Sequence, residues 1–187
     1  MTKDMTLTRN STTGRRTTAG PVLGAATLAM GLIAGVFYIF ACAVMPALHR
    51  SGDRVFIEAM QNINDVIQNP VFFLGFMGAL LLTAVSAWQL RGTAGGRWVW
   101  AALAAYLLVF LITVAFNIPL NNDLADAGNP AKIADPAAVR DHFENTWVAW
   151  NVARAVLSTV ALGCLGRALV LYGRDSAAAG TVSLSGA

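Results

Sequence analysis

The chain has 187 residues, of which 56% are hydrophobic and only 12% are charged. Soluble domains carry about a quarter charged residues, so this composition excludes a soluble enzyme, a disordered chain and a disulfide-rich secreted module. The net charge of +3 comes from basic residues that flank apolar stretches, which argues against nucleic acid as a partner. The composition indicates a bundle embedded in a lipid bilayer.

Four stretches of the chain reach the length of about 20 mostly apolar residues that a membrane helix needs. Proline suits the first turn of a helix and disfavours helix in the residue before it, so prolines set three of the boundaries. Pro46 should close the first span, Pro70 should open the second, and Pro119 should follow the end of the third. The predicted spans are residues 21–45, 70–90, 98–117 and 147–172.

The charges outside the spans predict the orientation. The two ends of the chain and the short loop between the second and third spans carry eight basic and two acidic residues. The loops 46–69 and 118–146 carry four basic and eight acidic residues. Because basic loops stay in the cytoplasm, we expect an integral protein of the plasma membrane with cytoplasmic termini and both long loops outside. The membrane domain should cover 21–172, between disordered tails at 1–20 and 173–187.

A GxxxG pattern in the first span, formed by Gly31 and Gly35, predicts a close approach between helix backbones. Two interpretations stay open. The glycines serve packing within the bundle, or they form the contact of a homo-oligomer.

The first outer loop contains a predicted amphipathic helix over residues 54–68. Its apolar residues recur at spacings of four, three and four, which places them on one helix face. Those residues are Phe56, Met60, Ile63 and Ile67. We expect this helix to lie across the outer end of the bundle, with Asn64 at the border of its apolar face.

The second outer loop should end in a helix that continues into the fourth span. Asp135 is a good N-cap residue and Pro136 suits the first turn that follows it. One face of this helix is predicted to carry Val139, Phe143, Trp147, Trp150, Asn151, Arg154 and Ser158.

Arg154 is the one charged residue deep within a predicted span. It lies seven residues, or roughly 10 Å, beyond Trp147. A charge at that depth costs about 2.5 to 3.5 kcal/mol, so its side chain should face the interior or a wet cavity, or else reach back to the interface. We favour the interior because six asparagines can gather at the same outer end, although each could also serve as a cap or turn residue. They are Asn64, Asn69, Asn117, Asn121, Asn122 and Asn151.

This set predicts a cavity for a flat, oxygen-bearing aromatic molecule that becomes anionic. Arg154 and the amides would stabilise the developing oxyanion, while Trp147 and Trp150 would stack on the rings. His49 and His142 show no metal-ligand spacing, so we expect no metal and no cofactor. A haem or metal held between these two histidines stays an alternative.

Three segments resemble the anthrone oxygenase family of small four-helix membrane proteins. They are MQNINDVIQNP (60–70), FNIPLNN (116–122) and WVAWNVAR (147–154). The resemblance extends over about residues 22–172. It implies oxidation of an anthrone's central methylene to a quinone by molecular oxygen, with no established cofactor.

The resemblance covers Asn117, Asn121, Asn122, Trp147, Asn151 and Arg154 position by position. We expect Arg154, Asn151, Asn117 and Asn121 to be catalytic. We expect Trp147, Trp150, Asn64, Asn69 and Asn122 to bind substrate. The general base is open between His142, Glu144 and Asp65. The alternative function is a non-catalytic membrane protein that binds a lipid, a quinone or a partner helix.

Overall fold

A computed structural model describes the backbone of residues 3–185 and the side chains of residues 18–178. All regular structure in this part of the chain is helical. Four stretches are long and apolar enough to cross a membrane, which confirms the predicted all-α, four-span fold of an integral membrane protein. They are Thr18–His49, Pro70–Gln89, Gly96–Asp126 and Pro136–Ala178.

The helices follow one another with short connections, and two of them contain a π-helical turn. In chain order they are α1 (Lys3–Ile39), π1 (Phe40–Val44), α2 (Met45–His49), α3 (Asp53–Ile67), α4 (Pro70–Gln89), α5 (Gly96–Ile112), π2 (Thr113–Asn117), α6 (Ile118–Asp126), a 3-10 turn (Pro130–Lys132) and α7 (Pro136–Ser185). Helical backbone continues from α1 and α7 into the segments predicted as tails, whose disorder stays a prediction.

The four spans close a ring in which α1 contacts α4 and α7, and α5 contacts the same two helices. A core of apolar side chains fills the ring, with Leu23, Met30, Tyr106 and Leu165 fully buried in it. The tight turn between α4 and α5 requires a glycine, because a Cβ on Gly96 would lie 2.1 Å from the carbonyl oxygen of Leu90. This turn makes α4 and α5 antiparallel neighbours.

The two glycines of the GxxxG pattern have different surroundings. A Cβ on Gly31 would lie 3.7 Å from the Leu162 side chain of α7, so this glycine packs within the bundle. A Cβ on Gly35 would meet nothing within 4 Å. The first glycine therefore contributes to packing inside the bundle, and the homo-oligomer stays a prediction.

The prediction that Pro46 ends the first spanning helix is wrong. The N–H of Met45 donates to the Phe40 carbonyl, five residues back, and the helix continues through α2 to His49. Proline has no N–H to donate and its ring crowds the preceding turn, so a wider π turn at this point allows the helix to continue.

The same correction applies to the third span, which does not end before Pro119. The N–H of Ile118 donates to the Thr113 carbonyl, again five residues back, and α6 extends the helix to Asp126. Both π turns therefore end two residues before a proline, in helices that run towards the same end of the bundle. We call that end, which carries α2, α3, α6 and the first turns of α7, the cap end.

The amphipathic helix predicted at 54–68 is present as α3. Its own residues Phe56, Ile57 and Met60 are buried. It packs on a second apolar cluster that is centred on Phe143, Trp147 and Leu124. The predicted start of α7 is also confirmed, because the N–H of Ala138 donates to Asp135 Oδ1 at 3.0 Å. From there α7 runs without interruption into the fourth span.

Candidate ligand-binding site

A cavity of about 370 Å³ lies at the cap end, between the spans and α3. Sites for small molecules have volumes of about 300 to 1,000 Å³, so this cavity can hold one. The structure brings seven of the nine predicted site residues to its wall. These are Asn64, Asn117, Asn121, Asn122, Trp147, Asn151 and Arg154.

Arg154 is buried in the cavity wall, with 5% of its surface exposed. Its guanidinium carbon lies 4.4 Å from the ring centre of Phe37 and 5.6 Å from that of Trp147. Among the described side chains, no carboxylate lies within ion-pair distance of Arg154. Cation–π contacts contribute about 0.5 to 2 kcal/mol, so they offset only part of the cost of burying the charge. The cavity therefore contains a positive charge without a counter-ion.

Asn151 holds this guanidinium in place. Its Oδ1 accepts a hydrogen bond from Arg154 Nη2 at 3.1 Å, while its own amide nitrogen donates to the Phe37 carbonyl at 3.1 Å. Arg154 Nη1 also donates to Thr113 Oγ1 at 3.4 Å. The amide oxygen of Asn151 is thus engaged by Arg154, so Asn151 positions the charge.

Asn117 presents unpaired polar atoms to the cavity. It is 2% exposed, and neither its amide nitrogen nor its amide oxygen has a hydrogen-bond partner. Eight buried side-chain polar atoms lack partners in the described part of the chain, and four of them belong to Asn64, Asn117 and Arg154. Burying such an atom unpaired costs about 1 to 3 kcal/mol, which a polar ligand would offset.

Asn121 orients the aromatic wall. The indole Nε1 of Trp147 donates to Asn121 Oδ1 at 2.8 Å. The Trp147 ring lies between Phe40 and Phe143, each with its ring centre 5.9 Å away. These contacts fix the ring that faces Arg154.

Asn69 and Trp150 do not line the cavity. The side chain of Asn69 caps α4, because its Oδ1 accepts from the N–H groups of Val71 and Phe72, each at 3.0 Å. Trp150 stacks on Phe116 with ring centres 4.0 Å apart. Consecutive residues are about 100° apart around a helix, which moves Trp150 off the face that carries Asn151.

None of the three candidate bases lines the cavity. His142 Nε2 lies 3.8 Å from Asp123 beside a separate pocket of about 280 Å³. Glu144 accepts from Arg140 Nε at 2.6 Å and contacts His49 Nδ1 at 2.7 Å. Asp65 is exposed. In residues 18–178, no acidic side chain and no histidine reaches the cavity wall, and no group of three metal-ligating side chains occurs.

Sequence reasoning missed the phenylalanines that complete the wall. Phe76 stacks against Phe72 and Phe110, with ring centres 5.8 and 5.9 Å away. Phe37 comes from α1 and lies over the guanidinium of Arg154. The spacing of four between Phe72 and Phe76 was a signal for a shared aromatic face. No pattern in the sequence indicated that Phe37 would meet Arg154.

These features define an integral membrane protein with four spans and an aromatic cavity built around one uncompensated arginine. Residues 68–164 match the family model described as anthrone oxygenase, which is slightly more than half of the chain. The chain belongs to the anthrone oxygenase family. The matched range contains every cavity asparagine except Asn64 and excludes α1. No curated protein and no solved structure matches the chain.

Proposed function

We propose that the protein binds an anthrone-like lipophilic aromatic molecule in the cap-end cavity and promotes its oxidation by molecular oxygen. The observation that carries this proposal is the buried charge of Arg154, which has no carboxylate partner among residues 18–178. Family membership supports the same reaction class. A fixed positive charge among aromatic walls is suited to a ligand that becomes a delocalised anion.

In the reaction, the methylene of the anthrone loses a proton and gives an enolate whose negative charge lies mainly on the oxygen of the former carbonyl group. The enolate then transfers electrons to oxygen. Overall, the CH₂ group and O₂ give C=O and water, a four-electron oxidation that consumes one O₂. Arg154 stabilises the enolate oxygen, and the unpaired amide of Asn117 supplies a second donor.

The proton has no acceptor among the side chains of the cavity wall. Stabilising the enolate lowers the pKa of the bound anthrone, so a base from the solvent, such as hydroxide ion, can take the proton. We place the entry of solvent at Asn122 and Gln68, which are exposed lining residues. The role of Arg154 and Asn117 is therefore to stabilise the anion. The electrons pass directly from the ligand to O₂.

The test supplies an anthrone in air to the purified protein in lipid vesicles and follows quinone absorbance. We expect Arg154→Ala to lose about 10²- to 10³-fold of the catalysed rate, the scale for removing one oxyanion donor. Arg167→Ala is the matched control, because Arg167 is an exposed arginine on the same helix. If wild type and Arg154→Ala both match the spontaneous rate, the proposed reaction is wrong.

The absence of a base from the described cavity wall favours a second candidate, a non-catalytic protein that binds a quinone or a lipid. In that case the same vesicles bind the oxidised product, anthraquinone, in a saturable way. Quinone then forms only at the spontaneous rate. Measuring binding and turnover on one preparation separates the two functions.

The orientation and location belong to the same proposal. The cap end faces the outside of the plasma membrane and both termini lie in the cytoplasm, as the distribution of basic residues favours.

A further inference from the structure

The lining residues of the cavity that are exposed at the protein surface lie close together. Most of its lining residues are buried or half-buried, including all those from α1, π1 and α7. The exposed ones belong to two short segments, residues 68–73 and 114–122. They are Gln68, Phe73, Val114, Ile118 and Asn122. We call this opening, between the start of α4 and the π2–α6 segment, the side mouth.

The side mouth has an apolar part and a polar part. Phe73, Val114 and Ile118 are 48%, 50% and 44% exposed, and they belong to the second and third spans. Apolar side chains exposed on a membrane span contact lipid tails. Gln68 and Asn122 lie nearer the cap end, where amides suit the polar interface of the bilayer.

The end of the cavity that faces away from the membrane is covered by α3, which is tied down by hydrogen bonds. Gln61 donates to the carbonyls of Leu124 and Gly128 at 2.8 and 3.0 Å. Arg54 donates to the carbonyls of Pro130 and Ile133. A route from water through this cover would have to break these bonds.

The turn before α3 is also held by hydrogen bonds, which come from Arg140. Arg140 of α7 donates to Asp53 at 2.9 Å and to the carbonyls of Ser51 and His49 at 2.9 and 2.8 Å. Its guanidinium also lies 4.7 Å from the ring centre of Phe56. The cover over the cavity is thus bonded to α6, to the loop that follows it and to α7, whereas no described residue covers the side mouth in this way.

We propose that the ligand reaches the cavity sideways, from the bilayer leaflet at the cap end, through the side mouth. This inference rests on the proposed function for the class of ligand, a lipophilic aromatic molecule. Such a molecule concentrates in lipid because burying apolar surface gains about 25 cal/mol per Å². The ring system passes between Phe73 and Val114, and its oxygen then meets Arg154 inside.

The experiment measures the binding kinetics of anthraquinone to the protein in lipid vesicles by quenching of tryptophan fluorescence. Val114→Phe narrows the side mouth, and Leu111→Phe is the matched control, since Leu111 is 59% exposed on the preceding turn and does not line the cavity. We expect Val114→Phe to lower the association and dissociation rates together by about tenfold, leaving Kd nearly unchanged.

A second variant tests whether a wider side mouth makes binding and release faster. Phe73→Ala widens the side mouth and should raise both rates, whereas Leu74→Ala, at an exposed neighbour outside the cavity wall, should not. A change in Kd with an unaltered association rate would show that Val114 and Phe73 are contact residues of the wall, and it overturns the inference. The inference is also overturned if Leu111→Phe and Leu74→Ala change the rates as much as Val114→Phe and Phe73→Ala do.

The route through the cover is tested with Gln61→Ala, which loosens α3. We expect no faster uptake of anthraquinone in this variant, and faster uptake overturns the inference. The two proposals fail separately. Normal binding kinetics with quinone formation at the spontaneous rate overturns the proposed reaction alone, while turnover without an effect of Val114→Phe overturns the sideways route alone. If wild type binds no anthraquinone, the sideways route is wrong, whereas the proposed reaction is still decided by the rate of quinone formation.

Discussion

At the scale of single residues, the cavity divides its asparagines into two roles. The amide oxygens of Asn151 and Asn121 accept hydrogen bonds from Arg154 and Trp147, so these two asparagines position other side chains. Asn117 is left with an unpaired amide. A sequence can show that several asparagines gather near one arginine. It cannot show which of them are satisfied, because that depends on contacts between helices that are distant in the chain.

This division gives a prediction for Asn117→Leu, which replaces the amide with an apolar group of similar shape. We expect the variant to unfold at a higher temperature, because an unpaired buried amide costs about 1 to 3 kcal/mol. It should bind anthraquinone more weakly, because a donor to the ligand oxygen is lost. The measurements are thermal unfolding of the purified protein and anthraquinone binding in vesicles.

Asn121→Leu is the matched control, since it leaves the buried indole N–H of Trp147 without its acceptor. Its unfolding temperature should fall. If Asn117→Leu destabilises the protein as much as Asn121→Leu does, then Asn117 has a structural partner and the assigned role is wrong.

At the scale of helices, the spans, α3 and the start of α7 could be predicted because each depends on local signals. Length and apolar content mark the spans, a spacing of three and four marks α3, and Asp135 with Pro136 marks α7. Asn69 directly before Pro70 is equally a local cap signal, so its role on α4 could have been recognised.

The π turns before Pro46 and Pro119 could not be predicted in this way. A proline in a sequence indicates a break, and whether a helix ends or widens there depends on what surrounds it. π2 ends at Asn117, so the wider turn carries the unpaired amide into the cavity wall. Such turns often occur at functional sites.

At the scale of the whole molecule, connectivity places the loop between α4 and α5 at the end opposite to the cap. The proposed orientation therefore predicts different access for two exposed alanines, Ala94 in that loop and Ala134 before α7. In a variant that lacks Cys42 and Cys164, Ala134→Cys should react with an impermeant maleimide on intact cells. Ala94→Cys should react only after permeabilisation.

The reverse pattern of labelling would place the cap end in the cytoplasm. The cavity, the side mouth and their chemistry would be unchanged, but the leaflet that supplies the ligand would be the inner one.

In the proposed function, the uncompensated charge of Arg154 stabilises an anionic form of the ligand. The most direct test of this role is a pH titration of an anthrone bound to the protein in vesicles without oxygen, followed by the visible absorbance of the enolate. We expect the bound anthrone to ionise about 1 to 3 pH units lower than in protein-free vesicles, as an opposite charge in contact does. Arg154→Met should abolish this difference. An ionisation midpoint that is the same with wild type, with Arg154→Met and without protein would contradict the account.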